Sequence, residues 1–147
     1  MITGAGGNLE PVSKQNITEL RKIQVNINQQ GYVATIDDSL IQASFLKNWH
    51  GFAFKDGEKI IGFASYADYD KIPGSVKIYK IIIDKDYQGM GYGRKLLEQI
   101  IQKILEHNAN IYIDVHTDNI VALQLYKKMF EVVSNDDKNT VLKYKSE

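Results

Sequence analysis

Apolar positions along this chain change period several times, and each change marks an element. Leu9 to Val12 reads as a short strand. Asn16 to Glu19 has the spacing of a capping box, and Ile17, Leu20, Ile23 and Ile27 follow at helical intervals. Asp37 or Asp38 can cap a second helix carrying Leu40, Ile41, Ala43 and Leu46. Two strand-like runs, Gly51 to Lys55 and Lys59 to Tyr66, flank Asp56-Gly57, a hairpin turn signal. Pro73-Gly74 marks another turn, and Ser75 to Asp84, rich in Val, Ile and Tyr, reads as a central strand. Leu96, Leu97, Ile100, Ile101, Ile104 and Leu105 form one apolar stripe, which predicts a long helix over 92–107. Asn110 to His116 alternates as a strand. Asp118 or Asn119 can then cap a helix running to about Met129, with Ala122, Leu125 and Tyr126 along it. Val132-Val133 and Thr140 to Tyr144 are closing strands around a turn at 135–139.

The resulting order is β-α-α-β-β-β-α-β-α-β-β, a mixed α/β (α+β) sheet of six to seven strands with four helices on its faces. Strand 75–84, helix 92–107 and strand 110–116 form a crossover unit, so these two strands are expected to be parallel. A chain of 147 residues corresponds to one domain, assigned to 8–147, with residues 1–7 expected to be a flexible leader such as a cloning remnant.

Composition narrows the function. Eighteen basic and eighteen acidic residues leave no formal net charge, which argues against nucleic acid or an anionic membrane as a partner. With no cysteine, disulfides, thiolate metal sites and a cysteine nucleophile are excluded. No metal site is expected. No apolar run approaches the roughly 20 residues of a membrane helix, and no signal-peptide pattern opens the chain, so a cytoplasmic location is the default expectation.

The chemistry concentrates in Gln88-Gly89-Met90-Gly91-Tyr92-Gly93-Arg94, which follows an apolar strand and opens the long helix. Such a junction offers helix-end amides without intrahelical acceptors, a favourable dipole and a backbone that a phosphate can approach closely. The string is neither a nucleotide P-loop nor a dinucleotide fingerprint. It lacks Gly-x-x-x-x-Gly-Lys-Ser/Thr, and a Gly-x-Gly-x-x-Gly reading ends on Arg94 or Leu96.

What it resembles is the acetyl-coenzyme A motif of the GNAT superfamily of N-acetyltransferases, with Tyr87 before it and Arg94 after it. Asn119-x-x-Ala122-x-x-Leu125-Tyr126-x-Lys128 resembles the second cofactor motif of that family. The two motifs lie within residues 75–134, and together they carry a specificity that neither has alone. The resemblance implies the acyl-coenzyme A N-acyltransferase fold, with its central parallel strand pair splayed and acetyl-coenzyme A as co-substrate. It implies that the amides from Gln88 to Arg94 hold the pyrophosphate. The main chain of Ile81, Ile82 and Ile83 would bond the pantetheine arm, and Asn119 would contact the pantetheine or phosphate region. Lys128 would approach the nucleotide end, and Tyr126 would lie near the thioester sulfur. A glycine usual before the phenylalanine that follows the tyrosine helix is missing from Tyr126-Lys127-Lys128-Met129-Phe130, which implies a tighter helix end. The resemblance leaves open a homodimer paired through the terminal strands.

Amine acetylation needs a neutral nucleophile. An alkylammonium of pKa about 10.4 is neutral in only on the order of one molecule in two thousand at pH 7, so its proton must be removed. With no cysteine, direct transfer in a ternary complex is expected. A backbone N–H, that of Ile83, would hold the oxyanion, and a protonated tyrosine, Tyr126, would serve the departing thiolate. Tyr126 could equally be a core aromatic. The base stays open. The central strand, where some relatives carry glutamate, has Lys77 and Tyr79. His116 is a base by its ordinary pKa or else an exposed strand histidine, and Asp114 reads as a solvated strand residue.

Gln29 to Ala34, Trp49 to Phe54 and Gly62 to Tyr66 resemble bacterial spermine/spermidine acetyltransferases, although Tyr79 stands where those often carry an acid. A small amine such as a polyamine is therefore the first expectation. Glu10, Asp37, Asp38, Asp68, Asp70 and Asp114 are the acids available to hold it. Acetylation of a protein or peptide amine is the alternative. A second is a non-catalytic acyl-coenzyme A-binding module, which would keep the loop without needing Tyr126.

Overall fold

A computed structural model of the chain describes residues 7–25, 36–107 and 109–145. Ile27, the segment Gln29 to Ala34 and most of the expected leader lie outside them. Gly7 is described: its carbonyl accepts a hydrogen bond from Gln99 Nε2, and Phe54 covers its Cα.

Seven strands form one sheet in the order β1-β2-β3-β4-β5-β7-β6. These are β1 (Asn8–Pro11), β2 (His50–Asp56), β3 (Lys59–Asp68), β4 (Ser75–Ile83), β5 (Asn110–His116), β6 (Phe130–Asn135) and β7 (Asn139–Tyr144). Every neighbouring pair is antiparallel except β4–β5, which is parallel, as the crossover predicts. Among the described residues four α-helices accompany them: α1 (Ile17–Leu20), α2 (Ile36–Gln42), α3 (Tyr92–Leu105) and α4 (Ile120–Tyr126).

The sheet separates two apolar clusters. Leu96, Leu97, Ile100, Ile101 and Ile104 of α3 pack on one face with Phe54, Ile78, Ile111 and Leu142. Leu20 of α1 and Ile36 of α2 pack on the other with Ala53, Ile60, Phe63 and Ile82. The long helix therefore stands where its stripe demanded.

The shorter helices depart from expectation. The capping box does not form. Asn16 Oδ1 accepts the Ser13 N–H, its Nδ2 donates to Glu10 and the Pro11 carbonyl, and Glu19 Oε2 accepts the Ile60 N–H across to β3. With both side chains spent on tertiary contacts, α1 is one turn long and ends at Leu20. Asp37 and Asp38 lie inside the first turn of α2, which stops at Gln42, so Ala43 and Leu46 fall in the turns after it. Asn119, not Asp118, caps α4 through its Oδ1 and the Ala122 N–H. That helix ends at Tyr126, short of Met129. Lys128 and Met129 N–H groups bond back three residues to Leu125 and Tyr126, so the turn tightens and runs into β6 with no left-handed residue. The missing glycine is thus not needed.

Tyr92, at the start of α3, ties the helix to the first hairpin. Its hydroxyl donates to Asp56 Oδ2 at 2.7 Å, and its ring meets Phe54 and Tyr87 edge-on. The bond to the Asp56 carboxylate is the main cause that raises the Tyr92 hydroxyl above its ordinary value, followed by burial. A raised value places this contribution to stability in full below the unfolded tyrosine pKa of about 10. The contribution is lost as pH rises through the folded value. Tyr92→Phe is expected to lower the melting temperature at pH 7 by a few degrees and to flatten part of the alkaline fall in stability, measured by thermal unfolding from pH 7 to 11.

Candidate functional site

Strands β4 and β5 pair only from Ser75↔Asn110 to Ile78↔Ile113. Beyond that point β4 stays with β3 as far as Ile83, and β5 stays with β7 as far as His116. The cause lies in β4 itself. Tyr66 faces Ile78 and Ser65 faces Lys80, which leaves Tyr79 as an extra residue in the ladder. A bulge bends its strand, and here it falls where the parallel pairing stops.

A cleft of about 510 Å³ opens in this gap. It is walled by Tyr79 to Ile83 on one side and Asp114 to His116 on the other, with Gln88, Gly89, Gly93 and α4 across its end. Main-chain direction in β4 follows from one bond. The Asp84 N–H donates to the Ile61 carbonyl, and antiparallel pairs alternate, so Ile82 bonds Phe63 while Ile81 and Ile83 turn their N–H and C=O groups toward the gap. Gln88 Nε2 donates to the Ile83 carbonyl from that side at 3.0 Å. Of the three isoleucines expected to offer main-chain groups, Ile81 and Ile83 do so, and Ile82 is committed to β3.

The glycine loop sits at the end of β4. A 3₁₀ turn, Lys85–Tyr87, leads into it, with the Asp84 carboxylate accepting the Asp86 N–H. Gly89 and Gly91 have φ of +77° and +85°, a backbone that L side chains rarely adopt. Gly91 is the N-cap of α3, and the first intrahelical bond runs from the Lys95 N–H to the Gly91 carbonyl. The amides of Tyr92, Gly93 and Arg94 therefore have no intrahelical acceptor. Gly93 faces Leu125 and Ile83, so the loop, α4 and β4 meet at one point. The side chains of this segment do other things. Tyr92 belongs to the core, Arg94 pairs with Glu98 on the surface, and Met90 is exposed.

Tyr126 lines the cleft from α4 and is buried. Burial, aided by the negative charge of Asp114, pushes its hydroxyl well above the ordinary tyrosine value, so it keeps its proton throughout the neutral range. Asn119 also lines the cleft, its carboxamide oxygen held by the helix cap. Lys128 is exposed on the far end of α4 and does not line the cleft.

Asp114 differs from expectation. Lys77 Nζ lies 2.7 Å from its carboxylate, and Asn139 donates to the same oxygen at 3.4 Å. Lys77 also stands 4.7 Å from the centre of the Tyr79 ring. His116 lines the cleft, with Nδ1 accepting the Asp118 N–H at 3.2 Å. The sequence reading missed several cleft residues, Val25, Lys80 and Lys138 among them. Lys80, half-buried, follows the bulge and lines the gap. Lys80 looked like an ordinary polar member of a strand rich in Val, Ile and Tyr, and only the splay turns it into a wall residue. Among the described residues no group of three or more His, Asp or Glu is placed to hold a metal ion, and no helix is long and apolar enough to cross a membrane.

Comparison with known proteins agrees with this geometry. Residues 17–131 match the acetyltransferase (GNAT) family. A probable spermine N(1)-acetyltransferase of Bacillus subtilis subsp. natto is 29% identical over 128 residues, spanning 82% of this chain and 84% of that protein. The N-alpha-acetyltransferase RimI of Mycobacterium tuberculosis is 30% identical over 81 residues, spanning 54% and 50%. Among solved structures, the GNAT domain of S. lividans PAT superposes with a TM-score of 0.76 at 15% identity, covering 94% of this chain and 89% of that one. An acetyltransferase from Salmonella typhimurium, solved with acetyl-coenzyme A, gives 0.73 at 16% identity over 95% and 94%. The chain belongs to the GNAT acetyltransferase family and is an acetyl-coenzyme A-dependent N-acetyltransferase.

Proposed function

We propose that the enzyme transfers the acetyl group directly from acetyl-coenzyme A to a primary amine held in the same cleft. The observation that carries this reading is the gap between β4 and β5, with helix-end amides that have no intrahelical acceptor at one end and a tyrosine that is protonated at neutral pH in its wall. In this reading the amides from Gln88 to Arg94 hold the pyrophosphate, with the dipole of α3 behind them. Ile81 and Ile83 bond the pantetheine arm as a neighbouring strand would, and the Ile83 N–H serves the oxyanion. Asn119 contributes contact along the arm, and Lys128 reaches toward the nucleotide only if its exposed side chain swings across the end of α4. Tyr126 gives its proton to the thiolate as the carbon–sulfur bond breaks.

For the acceptor, a polyamine is the class favoured by the relatives that span most of the chain. The cleft tempers that reading. Of the six acids weighed for it, Glu10 meets Asn16 and Lys55, Asp37 meets Arg21, and Asp68 meets Asn48. Only Asp114 lines the cleft, and Lys77 already neutralises it. This specific shortage of free carboxylate favours a second reading, an α-amine at the end of a peptide. Such an amine has a pKa near 7.7–8.0 and needs less help to lose its proton.

The test is thiol release from acetyl-coenzyme A with spermidine, spermine and short peptides that differ in their first residue. Turnover with the polyamines and none with peptides is the expected result. Turnover with peptides alone removes the polyamine, and binding of acetyl-coenzyme A without turnover of any amine removes the transfer reading.

A further inference from the structure

The acceptor ammonium must lose a proton before it can attack, and the groups that line the cleft can be taken in turn. Asp114 is ion-paired with Lys77 and bonded by Asn139. His116 uses Nδ1 to accept a backbone N–H. Tyr126 and Tyr79 are both raised by burial, so they hold their protons at neutral pH. Lys138 lies on the exposed turn before β7, at the outer edge of the cleft. Lys80 differs from all of these. It is the first residue of β4 past the bulge, next to the main chain of Ile81, and its side chain lines the gap that the two strands leave.

We propose that the amine of Lys80 is the proton acceptor in this enzyme, taking the proton of the acceptor ammonium before attack on the thioester. Burial is the largest cause that lowers the Lys80 pKa, with the Lys77 ammonium acting in the same direction. The carboxylates of Asp114 from β5 and Asp38 from α2 oppose it and are outweighed. Tyr79, His116, Tyr126 and Lys138 are the other titratable groups around the cleft. A lowered value gives Lys80 more of the neutral form at a given pH than a free lysine has, and a neutral amine is a base.

The step balances. The acceptor R–NH3⁺ gives one proton to Lys80 Nζ, and the free lone pair of R–NH2 forms the bond to the carbonyl carbon. The carbon–sulfur bond then breaks, and the thiolate takes the Tyr126 proton. The second proton on the new amide nitrogen returns Tyr126 to the phenol, and Lys80 releases its proton to solvent. The sum is one amide, one thiol and one proton.

The proposal rests on direct transfer, and arginine separates it from a purely electrostatic role. Arginine keeps the positive charge and cannot be deprotonated at these pH values. Three proteins are compared, the wild type, Lys80→Arg and Lys80→Met, using whichever panel amine the wild type turns over fastest, with methoxyamine, a much weaker base than an alkylamine, as an acceptor already neutral at pH 7. Both variants are expected to lose about 100-fold in kcat/KM at pH 7 with the panel amine. Their affinity for acetyl-coenzyme A by calorimetry should stay near wild type. The break in the wild-type pH profile should move up to the pKa of the acceptor itself, and the defect should shrink to a few-fold with methoxyamine. Retention of activity in Lys80→Arg overturns the proposal, as does an unmoved break in Lys80→Met or an equal defect with methoxyamine. If the wild type turns over no amine while still binding acetyl-coenzyme A, direct transfer itself falls, and the role of Lys80 falls with it.

Discussion

Tyr126→Phe is expected to lower kcat by at least about 100-fold while leaving acetyl-coenzyme A binding nearly unchanged. Removing one oxygen from a buried ring preserves its packing against Phe130, whose ring centre lies 6.5 Å away, so the helix should keep its place. What is lost is the one cleft hydroxyl that burial strongly protects from ionisation. Positioned proton donors contribute roughly 10²–10⁴-fold, and a thiolate leaving without one carries that penalty. Steady-state kinetics with an acceptor that the wild type uses, together with calorimetry for acetyl-coenzyme A, checks both halves. A variant that loses binding as much as turnover would place Tyr126 in the core alone.

Gly62→Val should damage the sheet and the cleft together. Gly62 lies opposite Ile83 in the β3–β4 ladder, where a Cβ would come within 2.8 Å of the Ile82 carbonyl oxygen and 3.0 Å of Ile83 Cδ1. A ladder carbonyl cannot swing aside as a side chain can. The strain must separate β3 from β4 or push β4 into the gap beside β5. Overpacking of this kind costs about 1–3 kcal/mol, which for a chain of this size lowers the melting temperature by about 3–10 °C. Because Ile81 and Ile83 present their main chain to that gap, acetyl-coenzyme A should also bind roughly tenfold more weakly. Gly62→Ala should give a smaller loss of both. Thermal unfolding and calorimetry on the two variants test the linkage. A fall in melting temperature with unchanged affinity would show that the ladder opens away from the cleft.

These expectations expose how the site was and was not legible beforehand. The glycine loop was readable because it is a local device. Positive φ at Gly89 and Gly91 and an uncapped helix start are properties of a few consecutive residues. The tyrosine on α4 was readable for a similar reason, since Asn119 caps the helix and Tyr126 follows two turns later. The base was not readable. Asp114 and His116 were weighed by type, but the pairing of Asp114 with Lys77 comes from another strand, and the bond that His116 accepts from the Asp118 N–H forms only in the turn after β5. Lys80 drew no notice because nothing in a strand rich in Val, Ile and Tyr signals that its partner strand will leave.

The first helix makes the same point for the fold. Asn16 and Glu19 have capping-box spacing, yet each finds a tertiary partner, Asn16 with Glu10 and Glu19 with the β3 backbone. A cap is worth about 1 kcal/mol, and a buried backbone N–H left unbonded costs at least as much, so the sheet wins the competition.

By itself the sequence determined the element order, the parallel crossover and the glycine loop that opens α3, because hydrophobic period, turn chemistry and glycine conformation act over short stretches of chain. Tertiary structure alone decided where β4 and β5 part, which isoleucines face the gap, and which ionisable groups remain unspent within it. The bulge at Tyr79 sets all three. It arises from how β3 and β4 are matched residue by residue, a register fixed by packing on both faces of the sheet and not by any local signal in the strand.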